Sequence, residues 1–152
     1  MKKNKLIIEQ LDKKLIVYKN LDKVQIPPNG WVFSFRKALN MSLRQLGKRM
    51  GITPQSVKEI EEREKNGTVS IGILKQVGKA LDMKFVYGFI PKNYSLKKMI
   101  EERAAELAKE IVNRTSVSMN LEDQKPSETR IKKAIQEKSE ELIYKMPKYL
   151  WD

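Results

Sequence analysis

Apolar residues recur at helical spacing along most of the chain, which predicts a protein built mainly of helices. Ile7, Leu11 and Leu15 follow one another at intervals of four, so residues 5–19 are expected to form an amphipathic helix. We expect that helix to dock on the protein's own core. Between residues 31 and 81, four short apolar stripes predict four short helices that close a compact core.

A longer apolar stripe follows Ser95, which is a good N-cap residue. It predicts a helix over residues 96–111 with one narrow apolar face. That face could pack against a helix expected at residues 129–144, against a second subunit, or against another protein. Packing in the core or in a dimer is the favoured interpretation.

Residues 84–90 are aromatic and β-branched, which predicts a short β-strand. A lone strand leaves backbone groups unpaired, so pairing with the same segment of a second subunit is one hypothesis. A short extended segment packed on the helices is the alternative. The expected fold class is therefore all-α with one short β-strand and a helical C-terminal extension.

The spacing of capping residues indicates a helix-turn-helix between the second and third of the four short helices. Ser42 is placed to cap one helix, Gly51 can end it in the left-handed conformation, and Thr53 can cap the next, with Pro54 at its first position. Two helices joined so closely cross steeply, and the second can enter the major groove of DNA.

The outer face of that second helix carries side chains that suit base edges and phosphates. The predicted base-contacting residues are Gln55, Ser56, Lys58 and Glu59. The predicted phosphate-contacting residues are Ser42, Arg44, Thr53, Arg63, Lys65 and Asn66.

The stretch from Ser42 to Glu61 resembles the lambda-repressor-like helix-turn-helix family at its core and turn positions. The resemblance implies that residues 42–50 form the positioning helix and residues 54–63 the recognition helix. Two features depart from the family. Pro54 stands where relatives often carry a base-contacting Gln, and residues 62–67 lengthen the recognition helix by about a turn.

The charge of the chain strengthens the expectation of a polyanionic partner. Its 152 residues carry a formal net charge of +12. An N-terminal helix and linker (residues 1–29) has seven Lys against three acidic residues, and the DNA-binding region (30–90) has eleven Lys or Arg against five. The C-terminal extension (91–152) is nearly balanced, with thirteen against eleven, which suits dimerisation or partner binding. Double-stranded DNA is the expected partner, bound by a homodimer.

Several functional classes are disfavoured by what the sequence lacks. It has no Cys and no His, which removes thiolate nucleophiles, imidazole bases and the usual zinc and copper ligands. It also has no Gly-rich phosphate loop and no apolar run long enough for a membrane span. We therefore expect a cytoplasmic protein that is not an enzyme and has no cofactor, no metal and no membrane partner.

Motifs along nearly the whole chain resemble the family called mobile mystery protein A. They include Pro28-Asn-Gly-Trp31, Glu101-Glu-Arg-Ala104, Met119-Asn-Leu-Glu-Asp-Gln124 and Leu150-Trp-Asp152. That family is encoded beside a Fic/Doc-domain protein in bacterial mobile elements. The resemblance implies an antitoxin-like DNA-binding regulator, autoregulating its operon, with a Fic/Doc-domain partner.

A short motif bears on direct inhibition of such a partner. Fic inhibitors often carry a helix with Ser or Thr, then Glu four residues later, then Gly or Asn. Ser118 and Glu122 match the first two positions, and Asp123 fails the third. An alternative function is therefore a protein-interaction module that does not bind DNA and inhibits the Fic partner directly.

Overall fold

The computed structural model describes residues 2–121 and 127–152, which form helices joined by short irregular segments. In chain order the elements are α1 (Lys2–Leu15), a first 3₁₀ helix (Ile16–Lys23), α2 (Trp31–Ala38), α3 (Leu43–Met50), α4 (Pro54–Asn66), α5 (Ile71–Ala80), α6 (Leu96–Leu121), α7 (Glu128–Lys145) and a second 3₁₀ helix (Lys148–Trp151). The chain divides into a central unit, Asp22–Gly88, and a terminal unit made of Met1–Leu21 and Phe89–Asp152.

The central unit is a bundle of the four short helices α2 to α5, as the apolar stripes predicted. Leu46 of α3 and Val57 of α4 are completely buried at its centre. The same cluster contains Val32, Ile60, Val77 and Leu81. Because each short helix buries only one or two apolar side chains, none could bury its apolar face without the others.

A buried ion pair joins α2 to α4 inside the central unit. The Arg36 guanidinium donates from Nε to Glu61 Oε1 at 2.5 Å and from Nη2 to Oε2 at 3.1 Å. Its third donor, Nη1, reaches the carbonyl of Met41 at 3.0 Å in the loop before α3. Both charged side chains are more than nine-tenths buried. Their mutual attraction and hydrogen bonds offset the free-energy cost of removing each charge from water.

A second acidic residue of α4 caps the start of α2. Gly30 precedes α2 and has no side chain with which to cap it. The Glu64 carboxylate instead accepts hydrogen bonds from the amides of Trp31 at 2.6 Å and Val32 at 2.9 Å. The extra turn of α4, which departs from the lambda-repressor-like pattern, thus carries the residue that satisfies the N-terminus of α2.

The predicted β-strand at residues 84–90 is wrong. Residues 84–90 have no regular secondary structure, and no part of the described chain forms a strand. Phe85 packs beside Gly78 of α5 and stacks on Tyr87, with the ring centroids 6.0 Å apart. The fold class is therefore all-helical over the described residues, because a β-branched and aromatic sequence forms a strand only when a second strand pairs with it.

The terminal unit is built on an antiparallel hairpin of α6 and α7. Ala104 and Ala108 of α6 are completely buried, which lets the two helices approach closely, and Leu142 of α7 lies against them. Of the three partners considered for α6, the structure shows α7. The side chain of Leu150 completes the cluster, and Arg103 fixes this segment by donating to the carbonyl of Leu150 at 2.7 Å.

The helix α1 docks on this hairpin through a different face from the expected one. Ile8 packs on the core of the terminal unit, and Asp12 caps α6 by accepting from the amides of Leu96 at 2.7 Å and Lys97 at 3.3 Å. Ser95 Oγ also donates to Asp12 at 2.9 Å. Burial by itself would raise the pKa of Asp12, but these hydrogen bonds lower it below its ordinary value.

Removing the carboxylate of Glu61 from the buried ion pair should strongly destabilise the central unit. We expect Glu61→Ala to lower the free energy of unfolding by about 3–5 kcal/mol, because Arg36 would then be buried without a counter-charge. Urea unfolding followed by circular dichroism measures this change. The matched control is Glu62→Ala, an exposed neighbour on α4, which should change stability by less than about 0.5 kcal/mol. Equal effects of the two variants would contradict the assignment.

The docking of α1 should weaken at acid pH. Because the folded pKa of Asp12 lies below its ordinary value of 3.8, its contribution is complete above that value and is lost as pH falls through the folded pKa. Hydrogen-exchange protection factors for α1 amides should therefore drop below about pH 4. In Asp12→Asn, α1 should be less protected at neutral pH and lose this acid dependence, and an unchanged profile would count against the cap.

Candidate nucleic-acid interface

The predicted helix-turn-helix is present as α3, a three-residue turn and α4. Gly51 ends α3 in the left-handed conformation, with φ 69° and ψ 31°, as the sequence predicted. Thr53 is the N-cap of α4, and Pro54 occupies its first position. These residues stop one helix and start the next within a few residues, so the axis of α4 turns sharply away from that of α3.

A close backbone approach at Gly47 sets how tightly the two helices pack. A Cβ atom at this position would lie 2.7 Å from the carbonyl oxygen of Ile52 and 3.3 Å from the carbonyl carbon of Thr53. The amide of Ile52 also donates to the carbonyl of Gly47 at 2.9 Å. A larger residue at position 47 would push the turn outward and displace the start of α4.

Side chains cap both helix starts, which places two polar clusters beside two positive helix ends. Ser42 Oγ accepts from the amide of Gln45, whose Oε1 accepts in turn from the amide of Ser42 at 2.8 Å. At α4, Thr53 Oγ1 accepts from the amide of Ser56 at 3.1 Å and lies 2.8 Å from Ser56 Oγ. The hydroxyl of Ser42 keeps its own proton to donate, and the positive end of each helix dipole favours an anion such as phosphate.

The first turns of α4 present a polar row to solvent. Gln55, Lys58 and Glu59 are exposed, whereas Val57 and Ile60 are buried on the opposite side of the helix. Ser56 is half-buried, and its hydroxyl pairs with Thr53, so it is less free to reach a base than its neighbours. The structure therefore brings together the predicted base-contacting residues, and Gln55, Lys58 and Glu59 are the most accessible of them.

The predicted phosphate-contacting residues fall into two separate groups. Ser42, Arg44 and Thr53 are exposed at the N-terminal ends of α3 and α4. Arg63, Lys65 and Asn66 are exposed at the C-terminal end of α4. Lys65 stands ten residues after Gln55, which corresponds to about 15 Å along the helix. The two groups would have to contact phosphates at well-separated places on a duplex.

One surface residue was missed by the sequence analysis. Gln45 is exposed on α3 beside Arg44, and its capping bond uses only the carbonyl oxygen of its amide. The NH₂ group is left to donate toward a phosphate next to Ser42. The signal was present in the sequence, because Ser followed three residues later by Gln is the pattern of a reciprocal capping box.

Of the proposed inhibitory pair, Ser118 belongs to the terminal unit. Ser118 is exposed on α6, and its hydroxyl donates to the carbonyl of Arg114 at 3.2 Å. Glu122 lies outside the described residues. Within the part of the chain that the structure describes, no cluster of acidic residues is arranged to hold a metal ion, and no helix is long and apolar enough to span a membrane.

Comparison with known proteins agrees with this geometry. Residues 33–87 match the model of a helix-turn-helix family, and the match covers most of α2 together with α3, α4 and α5. The chain therefore contains a helix-turn-helix domain of the lambda-repressor type, which supports a DNA-binding regulator. Searches of curated proteins and of solved structures found no match.

Proposed function

We propose that this chain, which carries a lambda-repressor-like helix-turn-helix domain, is a sequence-specific transcriptional regulator that binds DNA as a homodimer. The observation that carries the proposal is the exposed row of Gln55, Lys58 and Glu59 at the start of α4, on the side opposite the buried Val57 and Ile60. In this position Gln can pair with adenine and Glu can accept from cytosine in the major groove. The protein binds its target and does not catalyse a reaction.

Charge supports the same proposal. The basic excess of the chain is concentrated in its first ninety residues, which include the helix-turn-helix. Arg44 and Thr53 are exposed at the starts of α3 and α4, where they can contact phosphates beside the bases being read. These contacts would supply affinity that is independent of sequence, while the first turns of α4 would supply the preference for one site.

We further propose that the regulator acts as an antitoxin-like protein that autoregulates an operon shared with a Fic/Doc-domain partner. The support is the resemblance to the mobile mystery protein A family, whose motifs run through both units. The nearly balanced charge of the C-terminal extension suits contact with protein more than with phosphate.

Replacing Gln55 should reduce discrimination between DNA sequences. We expect Gln55→Ala to lose about 1–3 kcal/mol of the preference for the chain's own upstream DNA over scrambled DNA. Fluorescence anisotropy measures both affinities across a salt series. The matched control is Gln76→Ala on α5, an exposed Gln outside the proposed surface, which should leave the preference unchanged.

The same titration tests whether the chain binds DNA specifically. The wild-type protein should prefer its own DNA and lose affinity steeply as salt rises, and Arg44→Ala should reduce the salt slope by about one. Weak and equal binding of the wild-type protein to both DNAs would contradict the proposal. In that case the alternative of a module that only inhibits the Fic partner becomes the leading candidate.

A separate assay tests the inhibitory pair Ser118 and Glu122. If the chain inhibits AMP transfer by the neighbouring Fic protein, Glu122→Ala should relieve that inhibition. In the Fic inhibitors that this motif resembles, the Glu occupies an arginine that would otherwise hold the γ-phosphate of ATP. Incorporation of labelled AMP measures it, with Glu128→Ala as the control on the next helix. Full inhibition by Glu122→Ala would remove the assignment.

A further inference from the structure

The helix α1 leaves its most apolar stripe facing solvent. Ile7 and Leu11 share one face of the helix and are 44% and 41% exposed. The neighbouring line of residues, Ile8 and Asp12, contacts the α6–α7 hairpin instead. An amphipathic helix that turns its apolar stripe outward is stable only if something else covers the stripe or if its other contacts compensate.

The same unit contains an open apolar groove between α1 and α7, with α6 at its base. Its volume is about 830 Å³. The apolar side chains that line it are Ile8, Ile100, Ile143, Tyr144 and Met146. Tyr144 is 74% exposed on the α7 wall. The groove is large enough to receive several side chains from another helix.

The stripe of α1 cannot fill the groove of its own chain. Asp12 holds α1 in its present rotation through the amides of Leu96 and Lys97 and the hydroxyl of Ser95. Turning Ile7 and Leu11 into the groove would break these bonds and leave the first amides of α6 without a cap. An α1 stripe that fills the groove would therefore have to come from a second copy of the chain.

The charges beside the stripe differ from those that line the groove. Lys3 stands one turn before Ile7, and Lys14 stands one turn after Leu11, so lysines flank the stripe at both ends. The α7 wall of the groove carries Glu140, one turn before Tyr144. The groove is lined by four carboxylates and by three lysines, Lys5, Lys13 and Lys97. A stripe placed in a groove would therefore bring its lysines near carboxylates, whereas two stripes placed face to face would bring only lysines together.

We propose that two copies of this chain form a dimer in which the α1 stripe of each copy lies in the α1–α7 groove of the other. In such a two-fold pair the same contact forms twice and the assembly closes. The dimer interface is then distinct from residues 84–90 and from the α6 face that α7 already covers. Only the role of the dimer rests on the proposed function: the dimer would present two recognition helices to two half-sites on DNA.

Sedimentation equilibrium tests the role of the stripe. The wild-type chain should have twice its 17.7 kDa mass at micromolar concentration, and Leu11→Asp should weaken the dimer by about tenfold or more, because a carboxylate would face an apolar wall. The control is Leu6→Asp, also exposed on α1 but away from the stripe, which should leave the dimer intact. A wild-type monomer, or equal effects of the two variants, would overturn the proposal.

Cross-linking tests which surfaces meet, without background because the chain has no cysteine. A Leu11→Cys chain is mixed with a longer, tagged Tyr144→Cys chain and oxidised. The proposal expects a disulfide between the two chains of unequal length and none when Val117→Cys, exposed on α6, replaces Tyr144→Cys. Disulfides only between two Leu11→Cys chains would mean face-to-face stripes and would overturn the proposal.

Charge reversal provides a rescue experiment. Lys14→Glu and Glu140→Lys should each weaken the dimer, and the doubly substituted chain should recover part of the loss, because the pair re-forms with opposite polarity. Absence of recovery would overturn the placement of the stripe's lysines beside Glu140. These results are independent of DNA: failure of dimerisation leaves specific binding to a single half-site measurable, and failure of DNA binding leaves the dimer measurable.

Discussion

The buried pair of Arg36 and Glu61 is the constraint on which the central unit depends. One guanidinium reaches α4 with two hydrogen bonds and the loop before α3 with a third. It thereby fixes α2, the entry to α3 and the middle of α4 relative to one another. Because α4 carries the proposed base-contacting side chains, the geometry of the proposed DNA-binding surface depends on a buried ion pair on the opposite side of α4.

The same device, a carboxylate that caps a helix distant in sequence, appears in both units. Glu64 caps α2 in the central unit, and Asp12 caps α6 in the terminal unit. In each case the cap also holds a second helix in position, since the acid belongs to α4 or to α1. These capping bonds therefore also hold helices against one another. Such bonds add to the stability of a small chain that buries few large side chains.

The orientation of α1 links this capping to the proposed assembly. Asp12 reaches the start of α6 only when α1 presents the line of Ile8 and Asp12 to the hairpin. That rotation leaves Ile7 and Leu11 outside. Exposure of these two apolar side chains to water is unfavourable in the single chain. Burying them in a dimer interface would lower the free energy of the pair. A hydrogen-bonding requirement inside the terminal unit would in this way create the apolar surface through which two copies associate.

The sequence by itself determined the helices, their local caps and the helix-turn-helix. Ser42, Thr53 and Ser95 cap helices through amides three residues away, so the pattern that predicts such a cap is contained in a few adjacent positions. Gly51 likewise ends α3 through its own backbone conformation. The outward row at the start of α4 follows from helical periodicity once Val57 and Ile60 are assigned to the core.

Only the tertiary structure decided the features that join distant parts of the chain. Glu64 is 33 residues from the amide of Trp31, and Asp12 is 84 residues from that of Leu96, so no local pattern marks either as a cap. The missing strand has the same origin, because β-propensity at residues 84–90 has no effect without a neighbouring strand to complete its hydrogen bonds. Local interactions determine which segments form helices. Hydrogen bonds between polar groups far apart in the sequence determine how those helices are arranged.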